Sequence, residues 1–318
     1  MPNSYGMPTL LDIAKLNGCD AAVGLIEEVV RVSPEVDQGF ARTIKGLNFR
    51  ARVRTALPTV SFRGVNQGSK PSASTYENRL YEAFLMNPKW FCDKADADAF
   101  EDGAQVYIAM EGVGMMEASL LTLSKQFYYG ASASGGGDTM GFPGVADVCD
   151  ANMAIGAGAT ATSANLCSSV WAVRWGIRDI SWLYGNNGQL QLSPVVEIPN
   201  FQDPADTTKY FTAYHQEILC RPGLQVSSKW SCARLYNVGC DLDTGKTLTD
   251  KLLGQLKALF PPQSPPHAYL MTVRSREQLR ASRTATNPTG TPAPTPTDYE
   301  GIPLLATNGI TNTEAVIS

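Results

Sequence analysis

Residues 47–54 read Leu47-Asn48-Phe49-Arg50-Ala51-Arg52-Val53-Arg54, apolar and polar in strict alternation, the period-2 pattern of a half-buried strand. After Leu57-Pro58-Thr59 the alternation returns briefly in Val60-Ser61-Phe62-Arg63, and a second strand is expected over Tyr76 to Met86. Between them, Gly64 to Ser74 offers almost no core-forming side chain. A hairpin whose tip is Gln67-Gly68-Ser69-Lys70-Pro71-Ser72 has too little apolar surface to offset the entropy of ordering it. Such an arm stays mobile or lies across a partner. The function class this points to is self-assembly rather than catalysis.

Beyond Asn87-Pro88 the pattern changes to a helix. Asp93, Asp96, Asp98, Glu101 and Asp102 crowd its entry, where negative charge suits the positive end of the helix dipole. Val106, Met110, Val113, Met116, Leu120, Leu123 and Phe127 then recur at steps of three and four, which predicts one helix over about 93–129, closed by Gly130. Gly103, Gly112 and Gly114 each cost about 1 kcal/mol of helix propensity. Close approach of another backbone is the expected compensation. Ahead of the hairpin, residues 9–32 read as two short helices, with Leu10, Leu11, Ala14 and Leu16 in the first. Asp20 is placed to cap the second, which carries Val23, Ile26, Val29 and Val30 on one face.

The rest reads as mixed helix and strand. Strands are expected at 170–175, 190–192, 210–219, 224–238, 268–273 and 302–306, and helices at 248–260 and 276–283. Residues 132–144 and the threonine- and proline-rich 288–296 are loops, and Asn187-Gly188 marks a turn. Trp171, Trp175, Trp182 and Trp230 are expected to fill a core between sheet and helix.

Composition narrows the class. At 318 residues, with 43% hydrophobic and 18% charged residues, the chain is long and apolar enough for one large domain or two modest ones. A formal net charge of -4 argues against sequence-independent nucleic-acid binding by the whole chain, though not against a protein that encloses nucleic acid. No apolar run approaches the roughly 18 residues of a bilayer span, and Met1 to Gly6 lacks the order of a secretory signal, so a cytosolic protein with no membrane partner is expected. The seven cysteines form no CxxC pair, and His215 and His267 have no cysteine at ligand spacing. Buried free thiols, no metal site and no cofactor are the expectation.

Several segments resemble, in order and over nearly the whole chain, the major capsid proteins of tailed double-stranded DNA bacteriophages with the HK97-like fold. The resemblance rests on Pro8 to Lys15 with Gly24 to Val30, on Arg54 to Arg63, on Gln216 to Val226, on Arg280 to Gly290 and on Tyr299 to Leu304. It implies an α+β subunit: an N-terminal arm (1–45), an extended β-hairpin loop (46–87) and a peripheral domain on a long spine helix (88–139). A mixed α/β axial domain (140–300) follows, and a C-terminal strand and tail (301–318) return towards the peripheral domain. It also implies a structural, non-enzymatic role in the virion capsid, assembled in the host bacterial cytoplasm. Pentamers and hexamers of the chain would tile an icosahedral shell around double-stranded DNA, without sequence-specific binding. Few residues precede the loop, so a separate scaffolding protein is the implied partner, with a portal protein at one vertex and a cement or decoration protein as a further one.

Two groups of residues are singled out. Arg50, Arg52 and Arg54 share one strand face, which Arg63 extends, and the resemblance sets this basic stripe on Asp93, Asp96, Asp98, Glu101 and Asp102 of an adjacent subunit. The alternative is a solvated face. Lys70 could join an asparagine of a neighbour, Asn308 or Asn312, through an isopeptide bond, as some members of the group do; a solubilising lysine is the plainer reading. Gly135-Gly136-Gly137-Asp138-Thr139 lacks the lysine and hydroxyl of a phosphate loop. Two other readings stay open: an encapsulin-like compartment holding cargo enzymes, and a carbohydrate-active enzyme or binding domain. The latter would need a carboxylate pair such as Asp241 and Asp243 or Glu197 and Glu217, with His215 beside the last.

Overall fold

The computed structural model describes residues 9, 10, 13, 33–132, 135–159, 166–240, 246–287 and 291–317. Of the two helices expected over 9–32, Leu10 and Ile13 are described and helical; the others, Asp20 to Val30 among them, lie outside the described residues. In chain order the elements begin with α1 (Pro34–Gln38), β1 (Ala41–Thr43), β2 (Asn48–Ala56), β3 (Thr75–Glu82), β4 (Lys89–Asp93), α2 (Lys94–Asp98) and α3 (Ala104–Tyr129). Next come α4 (Val145–Val148), β5 (Ala154–Gly156), β6 (Cys167–Val173), β7 (Ile180–Tyr184), β8 (Gln191–Leu192), β9 (Val196–Gln202) and β10 (Tyr210–Leu219). The last are β11 (Pro222–Val226), β12 (Cys232–Gly239), α5 (Asp250–Ala258), β13 (Ala268–Met271), α6 (Val273–Ala285), β14 (Asp298–Tyr299) and β15 (Ile302–Ala306).

The strands form four sheets. The largest runs β14-β15-β13-β6-β12-β5, and β6, near its middle, is buried at every residue. Alternation sends Trp171 and Val173 into one core, while Val170 and Ala172 enter a second core under α5 and α6 with Leu253, Leu256 and Leu279. A β1-β7-β11 sheet lies against the first core, and β4, β8 and β9 all pair with β10. Residues 191–219, expected in the axial domain, therefore share a sheet with β4 beside the spine helix. The expected strand 224–238 is two strands joined by a turn at Ser228 to Ser231, and that turn leaves Trp230 44% exposed rather than in the core. β1, β4, β5, β7, β9 and β14 are strands the periodicity did not reveal; all six are seven residues or shorter.

The expected single helix over 93–129 is two. After α2 the amide of Phe100 donates to the Ala97 carbonyl, and Gly103 takes a φ of 91°, a conformation glycine adopts freely, before α3 begins. In the first half of α3 the inward residue is Ile108, not Val106 or Met110, which are exposed. Gly112 and Gly114 face open space, so no backbone among the described residues approaches them. By length and composition α3 would also allow a membrane crossing: its most apolar stretch has a mean hydropathy of 1.3, and only 17% of that stretch is buried. Glu111 and Glu117 divide its apolar letters, which hid this from a search for unbroken runs.

The other half of α3 is fixed on all sides. Phe127 packs on Trp175 and Trp182 with ring centroids 5.6 and 5.3 Å apart, and Phe142 meets Trp182 edge-on at 5.8 Å. Two carboxylates complete the junction. Glu35, wholly buried in α1, accepts from the hydroxyl of Ser124, from Tyr128 at 3.3 Å and from Thr307 at 3.4 Å, while Trp182 Nε1 donates to its backbone carbonyl at 3.0 Å. Side chains at Gly39 or Gly309 would collide with Trp182 or Ser124. Glu314 accepts from Tyr129 (2.6 Å), Ser169 (2.5 Å) and Arg234 (3.1 Å). α1, α3, the large sheet and the C-terminal residues thus meet at one place.

Burial raises the Glu35 carboxyl above its ordinary value, against the opposing pull of its hydroxyl donors. The sign follows: its contribution favours the fold below the unfolded value, and is lost as pH rises through the raised one. Glu35→Gln should flatten this part of the pH dependence of urea unfolding. Glu35→Ala leaves three hydroxyls without an acceptor and should cost about 2–4 kcal/mol at neutral pH.

Candidate assembly interface

β2 and β3 pair from Asn48↔Glu82 to Ala56↔Thr75, with a bulge after Arg54. The sequence alternation becomes two different faces. Phe49, Ala51 and Val53 are half-buried, while Arg50, Arg52 and Arg54 are exposed beside their cross-strand partners Leu80, Asn78 and Tyr76. The Arg52 and Arg54 guanidinium carbons lie 4.4 and 5.7 Å from the Tyr76 ring centroid, so stacking holds the stripe against the strand. A hydrogen bond with Arg54 holds the Tyr76 phenol below its ordinary pKa.

Only the root of the hairpin is seated on its own subunit. There Phe49 and Tyr81 pack on Ile44, Ala83 and Leu183, and Tyr81 donates to the Val226 carbonyl at 2.8 Å. Residues 57–74 beyond it form no strand; the brief alternation at Val60 to Arg63 has no partner to pair with. Thr59 binds Ser72 across the loop, and Arg63 donates to the Gln67 carbonyl at 3.1 Å. Leu57, Val60, Phe62 and Val65 are between 73 and 106% exposed. Four large apolar side chains in water on one loop are the mark of an unfilled contact. A sequence signal existed: apolar letters recur through a segment otherwise without a core.

The acidic residues are displayed rather than used as a cap for the long helix, whose first turn holds none. Asp93 caps α2 through the Ala95 amide at 2.9 Å. Asp96 accepts from the Tyr107 hydroxyl at 3.1 Å and Asp98 from Tyr214 at 3.4 Å; these contacts raise the Tyr107 phenol, and burial with the Asp98 charge raises Tyr214. Glu101 and Asp102 lie exposed in the turn before α3. The basic stripe and this acidic patch do not meet within the chain: Arg50, Arg52, Arg54 and Arg63 form no ion pair with any described residue. The segregation is strong. Residues 41–82 carry eight basic and two acidic side chains, residues 93–117 seven acidic and one basic, in a chain of net charge -4.

Other candidates are placed plainly. Lys70 is exposed on the tip loop and touches neither asparagine; Asn308 is exposed, and Asn312 Oδ1 accepts a weak bond from Cys240 Sγ at 3.6 Å. Glu197 is paired with Lys94 at 2.8 Å and Glu217 with Lys89 at 3.4 Å, so these carboxylates are neutralised separately rather than joined as an acid and base. Asp241 and Asp243 lie outside the described residues. Among the described residues no cluster of histidine, cysteine and carboxylate is arranged to hold a metal. Sequence reading missed an aromatic row at the β4–β9–β10 surface, where Phe91, Phe201 and Phe211 succeed one another at 4.6 and 5.5 Å.

The family model described as major capsid protein GP7 matches residues 37–318. No curated protein matches. A cryo-EM structure of bacteriophage Epsilon15 is similar over 86% of this chain and 87% of that one, with a TM-score of 0.60 and 16% identity. The capsid of bacteriophage JBD30 covers 87% of this chain and 90% of its own at a TM-score of 0.48 and 10% identity. Its procapsid covers 93% and 99% at 0.46 and 10%. With 282 consecutive residues matched by that model (37–318), the chain belongs to the family of major capsid protein GP7, subunits of the phage capsid shell with an HK97-like fold.

Proposed function

We propose that the β2–β3 arm is the clasp by which this shell subunit holds its neighbour. The arginine stripe lies on the acidic patch of residues 93–102 of the adjacent copy, and the apolar tip is buried against that copy. The observation that carries this is the separation of opposite charges onto two surfaces that do not meet within one chain, joined to a tip with no apolar partner among the described residues. Exposed ion pairs contribute only about 0–1 kcal/mol each. Burial of the tip, at roughly 25 cal/mol per Å² of apolar surface, supplies attraction, and the charges set register.

On this reading the arms link pentamers and hexamers into an icosahedral shell enclosing double-stranded DNA without sequence-specific contacts. The role is non-enzymatic, which the separate neutralisation of Glu197 and Glu217 supports. A scaffolding protein, a portal protein at one vertex and a cement protein are the partners the family resemblance suggests. The division into arm, loop, peripheral and axial domains holds best with residues 190–219 counted in the peripheral unit, because β10 pairs with β4.

Three outcomes are expected. Replacing Arg50, Arg52 and Arg54 together with glutamate should leave a soluble subunit that forms no shells in negative-stain electron microscopy; normal shells would refute the clasp. Limited proteolysis should cut residues 57–74 in free subunits and spare them in shells. Equal cutting in both would place the tip in solvent. Shells boiled in detergent should give a single monomer band, whereas a ladder of multimers lost on Lys70→Arg would assign an isopeptide bond to Lys70.

A further inference from the structure

Two cysteines away from the clasp lie against each other. Cys149 follows α4, on the segment leading from the spine helix to the large sheet, and Cys232 opens β12 within that sheet. Cys149 Sγ donates to the Cys232 carbonyl oxygen at 3.7 Å, across 83 positions of sequence. The two have different surroundings. Cys149 is half-buried, and the nearness of Cys232, with the Arg234 charge adding to it, holds its thiol below the ordinary value. Cys232 is 1% exposed, and the nearness of Cys149 together with burial pushes its thiol well up. Burial pushes the thiols of Cys220 and Cys240 up to about 12 and about 11, and raises Cys92 as well. A reachable thiol set against a buried one is the arrangement of a peroxide-reactive cysteine and its resolving partner.

We propose that Cys149 and Cys232 are an oxidisable pair that closes to an intrachain disulfide when the subunit meets a peroxide. The Cys149 thiolate attacks one peroxide oxygen; the S–O bond forms, the O–O bond breaks, and hydroxide leaves to become water. The Cys232 sulfur then attacks the sulfenic sulfur of Cys149. The S–S bond forms, the S–O bond breaks, and the departing hydroxide takes the Cys232 proton as a second water. Two thiols are oxidised and one hydrogen peroxide is reduced. The bond ties the segment after the spine helix to the large sheet, closing a long loop, the case in which a crosslink constrains the unfolded chain most. A reducing cytosol keeps the pair as thiols, and the oxidising surroundings of a released particle favour the bond.

The test uses intact shells and unassembled subunits, with and without hydrogen peroxide. Both are denatured in iodoacetamide and digested without reductant for mass spectrometry. A peptide joining Cys149 to Cys232 should appear on treatment and vanish on reduction, with the other five cysteines of the chain alkylated. The oxidised subunit should also unfold at a higher temperature, reversibly with dithiothreitol. Cys149→Ser should abolish the linked peptide, and Cys232→Ser should leave a sulfenic acid on Cys149 that dimedone traps. Full alkylation of both cysteines after peroxide, in shells and in free subunits alike, would overturn the proposal. So would linkage of either to another cysteine. If the serine variants do not fold, the wild-type peptide map decides alone.

Discussion

The last two turns of the spine helix are where this subunit is made into one body. Ser124, Phe127, Tyr128 and Tyr129 meet three different parts of the chain, two through hydrogen bonds to buried acids and one through aromatic packing. Phe127 closes an aromatic core against Trp175 and Trp182, while Ser124 and Tyr128 hold Glu35 and Tyr129 holds Glu314. A buried carboxylate is costly unless it is well hydrogen-bonded, and each of these two has three side-chain donors. The packing is therefore specific as well as tight, because sliding the helix by one residue would orphan both acids.

That rigidity has a counterpart. The N-terminal half of the same helix is thinly covered, with Val106 and Met110 exposed and Gly112 and Gly114 facing open space, and the hairpin tip has no apolar partner among the described residues. A subunit that fixed both halves of the helix would have nothing left to bind with. One that fixed neither could not hold an interface in register. Dividing the two along a single helix lets a shell lattice strain its arms while the aromatic core stays as it is.

How much of this was legible in the sequence depended on whether the cause was local. The β2 alternation, the close of the spine helix at Gly130, the helix α5 within 248–260 and the strand at Ile302–Ala306 are set by neighbours in sequence, and each was readable there. The break at Gly103 was not. A continuous three-and-four pattern hid a turn made by one glycine at positive φ, and the pattern selected Val106 and Met110 where tertiary packing selected Ile108. Trp230 was assigned to the core by its type, but a turn places it outside. The placement of β10 beside β4 was equally hidden, since nothing near residue 215 in sequence records a partner near residue 91. Of the proposed clasp, the arginine face was readable from alternation alone; its lack of an ion-pair partner among the described residues is a property of the folded chain.

The charge pattern connects these points. A chain of net charge -4 that places a large excess of basic residues on its arm cannot be described by its net charge. Seen by an approaching copy, it is a positive finger and a negative ledge on an otherwise modestly charged body. Such complementarity acts before contact, over roughly the Debye length of 8–10 Å at physiological salt, so it favours head-to-tail approach and disfavours arm against arm. Apolar tips that met first without this bias would aggregate, because hydrophobic burial is non-directional. In the proposed clasp the arginines would do for order what the tip does for strength, with Arg52 and Arg54 held by stacking on Tyr76.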